Sequence, residues 1–126
     1  MSTHAQIFIQ SNLDIDALAS RIKLSCGADM IRSVARDDST CYEIIIENGF
    51  ALLRGSLAFE SEGQIDYDNY NFYIDINATN VLREDIMLIR LGGLTYHYFD
   101  MLKSQNIFAL MIVLDMQHLI EKFQPS

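Results

Sequence analysis

Bulky apolar and polar positions alternate from Ala5 to Gln10 (AQIFIQ), the period of a strand. Asn12 or Asp14 then offers a helix cap. Leu13, Ala17, Leu18, Arg21, Ile22 and Cys26 recur at helical spacing, and Gly27 closes the segment. The spacing predicts an amphipathic helix of about three turns. Met30–Arg36 (MIRSVAR) alternates again, as a half-exposed strand does, and Asp37-Asp38-Ser39 signals a turn. Thr40–Glu47 (TCYEIIIE) is rich in β-branched residues and runs into Asn48-Gly49, the dipeptide of a tight hairpin. The return strand is expected over Phe50–Phe59 (FALLRGSLAF), with Gly55 as a bulge. Glu62-Gly63 offers another turn. Asn71–Ile76 (NFYIDI) sets Phe72, Ile74 and Ile76 on one face against Tyr73, Asp75 and Asn77 on the other. Together these runs predict an antiparallel meander of about four strands.

From Asn80 the period changes. Val81, Leu82, Asp85, Ile86, Leu88 and Ile89 read as helix, and Gly92-Gly93 is expected to break it. Leu94, Tyr98, Met101 and Leu102 extend a second helical piece to about Ser104. Thr95, Tyr96, Tyr98 and Phe99 favour a strand over Leu94–Phe99 as the rival assignment. Ile107–Leu114 (IFALMIVL) is apolar throughout, as a buried strand is, and Asp115 can cap a last short helix, Met116–Phe123, before Pro125. The order is β-α-ββββ-α-β-α. It predicts an α+β fold in which a mostly antiparallel sheet of about five to six strands carries its helices on one face.

The 126 residues fit one domain, residues 1–126, with no repeat or linker. Half are apolar, enough for a core without staples. A net charge of −8 disfavours nucleic acid or an anionic membrane as partner, because phosphate binding needs lysine and arginine. It suits a basic protein partner, and equally plain solubility. Cys26 and Cys41 lie outside any CxxC pair and are expected as free thiols, with a disulfide between them the less favoured alternative. The start MSTHAQIFIQ lacks the pattern of a signal peptide, and Ile107–Leu114 is too short to span a bilayer. The expectation is a soluble, cytoplasmic protein.

Catalytic and metal patterns are weak. Asp66-Tyr67-Asp68-Asn69 opens like a calcium loop, but Tyr70, Asn71 and Asn77 occupy positions that need a ligand, a glycine and a glutamate. His4, His97 and His118 belong to no zinc pattern, which needs three or four converging ligands. His4 falls at a terminus expected to fray. No GxSxG elbow occurs, and Gly92-Gly93 lacks the surroundings of a phosphate loop. Asn77-Ala78-Thr79 matches a glycosylation acceptor, which a cytoplasmic chain would not use. The chain is expected to be a non-enzyme without catalytic residues, metal or cofactor.

The most informative stretch is Phe59–Asp75 (FESEGQIDYDNYNFYID). Glu60, Glu62, Asp66, Asp68 and Asp75 fall between Gly55 and Leu82, where no lysine or arginine occurs. Tyr67, Tyr70 and Tyr73 are set among them. Tyrosine supplies contact area with a polar tip, and carboxylates steer a basic partner. These eight residues are the candidate partner-binding set. The competing reading makes them the solvated outer faces of strands, with tyrosines covering the core edge.

The opening IFIQSNLDIDALASRI, the ending DMLKSQNIFALMIVLDMQHLIEKF and this acidic–aromatic segment resemble bacterial immunity proteins of contact-dependent inhibition and related polymorphic toxin systems. The resemblance is one of class over most of the chain, without a shared motif. It implies binding to one cognate protein toxin, a basic domain and often a nuclease, whose active site or substrate entry is blocked. The alternative is a type III secretion chaperone, also small, acidic and α+β, working as a homodimer. Those chaperones usually begin with a helix, whereas Ala5–Gln10 reads as a strand. A monomer and a homodimer both remain open.

Overall fold

The computed structural model describes residues 3–34, 39–47, 49–55, 67–78 and 83–126. The described elements are β1 (His4–Gln10), α1 (Ile15–Cys26), β2 (Met30–Val34), β3 (Thr40–Ile44), β4 (Gly49–Gly55), β5 (Phe72–Ala78), α2 (Glu84–Ser104), β6 (Ala109–Leu114) and β7 (His118–Phe123). A short 3-10 turn at Tyr67–Asn69 precedes β5. All strand pairs are antiparallel, in one seven-stranded sheet of order β2-β3-β4-β5-β1-β6-β7. The α+β class and the antiparallel sheet are as expected, with β7 as an added strand.

Local rules account for α1. Asp14 caps it by accepting from the Ala17 N–H at 2.8 Å. Gly27 ends it at φ 67°, its N–H returning to the Lys23 carbonyl at 2.8 Å. Leu18, Ala19 and Ile22 face the sheet.

Strand alternation divides the core into two faces. Ile7 and Ile9 of β1, Ala51 and Leu53 of β4, Ile74 and Ile76 of β5, and Leu110 and Ile112 of β6 meet both helices. The residues between them point the other way, and Phe8, Tyr73, Met111 and Val113 build a second core with Tyr67 and Tyr70. Both helices therefore share one face, and the chain around Tyr67–Tyr70 packs on the opposite one.

Two assignments change. Gly92-Gly93 does not break the helix: α2 runs unbroken for 21 residues, and the rival strand over Leu94–Phe99 is helical too. Each mid-helix glycine costs about 1 kcal/mol relative to alanine. Burial of Leu91, Tyr98, Phe99 and Leu102 against the sheet more than offsets that cost.

The expected final helix over Met116–Phe123 is instead β7, folded back on β6. Asp115 (φ 52°) and Met116 (φ 59°) are both left-handed, as a type I′ hairpin turn requires, and the Gln117 N–H closes the turn on the Leu114 carbonyl at 3.0 Å. Asp115 is thus a turn residue and not a cap. The β6–β7 register shifts between Ile112 and Val113, so Glu121 pairs with Ile112 while Leu119 pairs with Val113. Such a bulge on an edge strand twists it away from pairing with other chains.

Close packing limits Gly49. A Cβ there would lie 2.8 Å from the Asn77 carbonyl oxygen and 2.9 Å from Leu94 Cδ1. β3 and β4 pair antiparallel as expected, but Gly49 opens β4 and is not a turn residue. Ile44 pairs with Ala51, and Gly49 lacks the positive φ that a tight Asn-Gly turn requires, while Asn48 lies outside the described residues.

Candidate functional site

Of the eight candidate residues, Glu60, Glu62 and Asp66 lie outside the described residues, as does the side chain of Asp68. The rest are brought to one sheet face, the one opposite the helices. Tyr67, Tyr70 and Tyr73 are only 3%, 4% and 9% exposed. Phe8 is their hub, with ring centroids 5.0 Å from Tyr67, 6.4 Å from Tyr70 and 5.4 Å from Tyr73. The Tyr67 hydroxyl donates to the Met116 carbonyl at 2.6 Å. Burial raises the Tyr73 hydroxyl above its ordinary pKa, opposed by Arg54. The rings therefore point inward. The sequence reading offered them as anchors for a partner, but here they anchor their own segment to the sheet.

Asp75 belongs to a polar cluster at the end of the same face. His4, Gln6 and Phe8 lie opposite Asn77, Asp75 and Tyr73 in the β1–β5 register, which puts these six on one side. Gln6 is fully buried, and its Nε2 donates to Asp75 Oδ1 at 2.9 Å. His4 Nδ1 is 2.8 Å from the same oxygen. An ionised carboxylate only accepts, so the imidazole donates from Nδ1. Gln6 Oε1 accepts from the Met116 N–H at 2.9 Å, and Asp115 Oδ1 accepts from the His4 N–H at 2.9 Å. The Asp115 N–H donates to the His4 carbonyl at 2.9 Å.

The cluster's work is structural. It fastens the left-handed Asp115–Met116 turn to the start of β1, an arrangement bulky residues adopt only when held. His4 is thus tied into the sheet and not frayed. The alternation of Gln6 with Ile7 marked it as facing away from the helices. Nothing local linked it to a turn more than a hundred residues later.

On the helix face, α2 is flanked by two concavities. The larger has a volume of about 540 Å³, with Ile45, Ile46 and Leu94 forming apolar walls and Glu47, Arg90 and His97 at its polar edge. The smaller, of about 190 Å³, lies between α2 and β6–β7 and is walled by Leu88, Leu91, Tyr96, Ile112, Leu114 and Ile120. Thr95 also lines it, but its hydroxyl is satisfied by the Leu91 carbonyl at 2.7 Å. Gly93 lines the first concavity and Gly92 the second. The register shift on β7 lets both Ile120 and Glu121 face α2. Ile120 reaches the smaller concavity, and Glu121 accepts from the Tyr96 hydroxyl at 3.3 Å.

Elsewhere, Asp16 accepts from Arg32 Nε at 3.1 Å and from the Tyr42 hydroxyl. These contacts, Tyr42 first, hold its carboxyl below the usual carboxylate range. They tie α1 to β2 and β3. Cys26 and Cys41 are free thiols. Burial pushes the Cys26 thiol up to about 11, which disfavours the reactive thiolate. Among the described residues, no group of three or more His, Cys, Asp or Glu is placed to hold a metal ion, and no helix is long and apolar enough to cross a membrane.

No family model matches the chain, and no curated protein matches its sequence.

Proposed function

We propose that the protein is an immunity protein: a stoichiometric inhibitor that neutralises one toxin domain with a basic surface. The observation that carries this reading is the pairing of charge and anchorage in one segment. Five carboxylates occur between Gly55 and Leu82 with no lysine or arginine, and the three tyrosines of that stretch are buried against the sheet. Inward tyrosines take over the work of holding the segment. On this proposal the carboxylates of Glu60, Glu62, Asp66 and Asp68 meet the partner. The described end of the segment, from Tyr67, is tied down in advance and loses less conformational freedom on binding than a free loop. Uninterrupted negative charge speeds encounter with a basic surface and is screened by salt.

In this reading the protein works in the cytoplasm, uses no cofactor and has no catalytic residue. Asp75 is committed to His4 and Gln6 and serves the segment's base, not the contact.

The test begins with the tagged chain, a lysate of the source cells and the product of the neighbouring reading frame. The expected result is a 1:1 complex with a basic toxin domain whose activity is abolished on binding. Glu60→Lys, Glu62→Lys and Asp66→Lys combined should slow association by about tenfold or more at low salt, with far-UV circular dichroism unchanged. A complex that forms at the wild-type rate with the triple variant would remove these carboxylates from the interface.

A further inference from the structure

Helix α2 is apolar on two opposite sides. Leu91, Thr95, Tyr98, Phe99 and Leu102 are buried on the sheet. The far side carries Ile86, Ile89, Gly93 and Tyr96 at i, i+3, i+7 and i+10, the spacing of a coiled-coil seam. Ile86 is 43% exposed, Ile89 76% and Tyr96 38%. A helix facing only water on that side would carry charged residues there. The patch widens through Leu88 and Ile120, both also exposed.

We propose that this stripe is a two-fold interface with a second copy of this chain, in which the two α2 helices pack antiparallel across Gly92-Gly93. Ile89 and Tyr96 are self-complementary about that point, as the centre of an isologous contact must be; Ile86 lies outside that centre, since its counterpart Phe99 is buried on the sheet. Ile89 and Tyr96 lie at equal distances on either side of the Gly92–Gly93 peptide. A two-fold axis there sets each Ile89 against the Tyr96 of the other copy. The same axis brings Asp85, in the first turn, within about one helical turn of the other copy's Lys103, in the last. Asp85 already pairs with Arg83 of its own chain at 2.8 Å, so Lys103 of the other copy joins that pair, and the helix dipoles oppose.

The glycines fit the crossing. Glycine is the poorest helix former after proline. A Cβ at Gly92 or Gly93 would meet nothing within 4 Å, so packing within one chain requires neither. At a helix crossing they let two backbones approach closely. Asp100 is the discordant member of the stripe, since the axis sets it near Asp85 of the other copy. The inference stands apart from the toxin reading, which concerns the opposite sheet face.

Sedimentation equilibrium of the full chain over a wide concentration range tests it. The wild type should show a monomer–dimer equilibrium. Ile89→Asp should weaken it by about tenfold or more, with the circular dichroism of a folded protein, because Ile89 is largely outside the core. Asp85→Lys and Lys103→Asp should each weaken association about threefold, and their combination should restore it. Asp100→Ala should tighten it. A wild type that stays monomeric at its highest soluble concentration overturns the proposal. So does a dimer that Ile89→Asp leaves unchanged, which would assign the contact to another surface such as the β2 edge.

Discussion

Replacing Tyr67 by alanine separates two roles that a tyrosine in an acidic segment can play. An exposed anchor would leave stability nearly unchanged when truncated. The structure instead encloses the ring against Phe8, with centroids 5.0 Å apart, and ties its hydroxyl to the Met116 carbonyl at 2.6 Å. Truncating an enclosed aromatic ring costs about 3–5 kcal/mol, from lost transfer energy and the cavity left behind. The hydroxyl accounts for about 1 kcal/mol of that, the usual net value of one hydrogen bond. Tyr67→Phe isolates that part.

In a domain of this size about 1 kcal/mol shifts Tm by roughly 4 °C. Tyr67→Ala should then lower Tm by roughly 12–20 °C, and Tyr67→Phe by roughly 4 °C. Thermal melts followed by circular dichroism and urea titrations measure both, with the slope of the urea transition as a check on two-state behaviour. A Tyr67→Ala melt within about 2 °C of wild type, with an unchanged urea slope, would refute the buried-anchor assignment. The exposed-anchor reading would then return.

Four further outcomes are expected. Gly49→Ala should destabilise by about 1–3 kcal/mol in urea, because the new Cβ meets a backbone oxygen that cannot easily move. Gly93→Ala, placed in an Ile89→Asp background to exclude association, should stabilise by up to about 1 kcal/mol; equal effects at the two glycines would contradict the packing. Asp14→Ala should cost about 1 kcal/mol of unfolding free energy and Asp14→Asn much less, since either Asp or Asn can accept from the Ala17 N–H. Alkaline pH should destabilise the fold. Burial raises Cys26 from 9.0 to about 11 and Tyr98 from 10.0 to about 12, so the unfolded chain loses these protons first. Stability is therefore full below pH 9.0 and falls as pH rises towards 11 and 12. Urea midpoints compared for wild type and Cys26→Ala should show a shallower alkaline loss in the variant.

What the sequence by itself determined are the features set within a few residues. Asp14 and Gly27 mark the ends of α1 because a cap needs only its own turn. The alternation of Ile7 and Ile9 with Phe8, and of Ile74 and Ile76 with Tyr73, already separates the two sheet faces. The pairing of β3 with β4 was legible from two β-rich runs joined by a short link, although Gly49 enters β4 and does not form the turn.

Three decisions belonged to the tertiary structure. MQHLIEKF has good helix formers, yet His118–Phe123 is a strand because β6 offers an open edge and the Asp115–Met116 turn is fastened by His4, Gln6 and Tyr67. Gly92-Gly93 remains helical because neighbouring side chains on both sides of it are buried on the sheet. The tyrosines face inward because Phe8, Met111 and Val113 present a second apolar surface that needs covering. Alternation alone gives Tyr73 a face but does not tell whether that face is wet. That depends on which distant segment lies over it, and burial free energy is decided by the whole packed surface and not by neighbours along the chain.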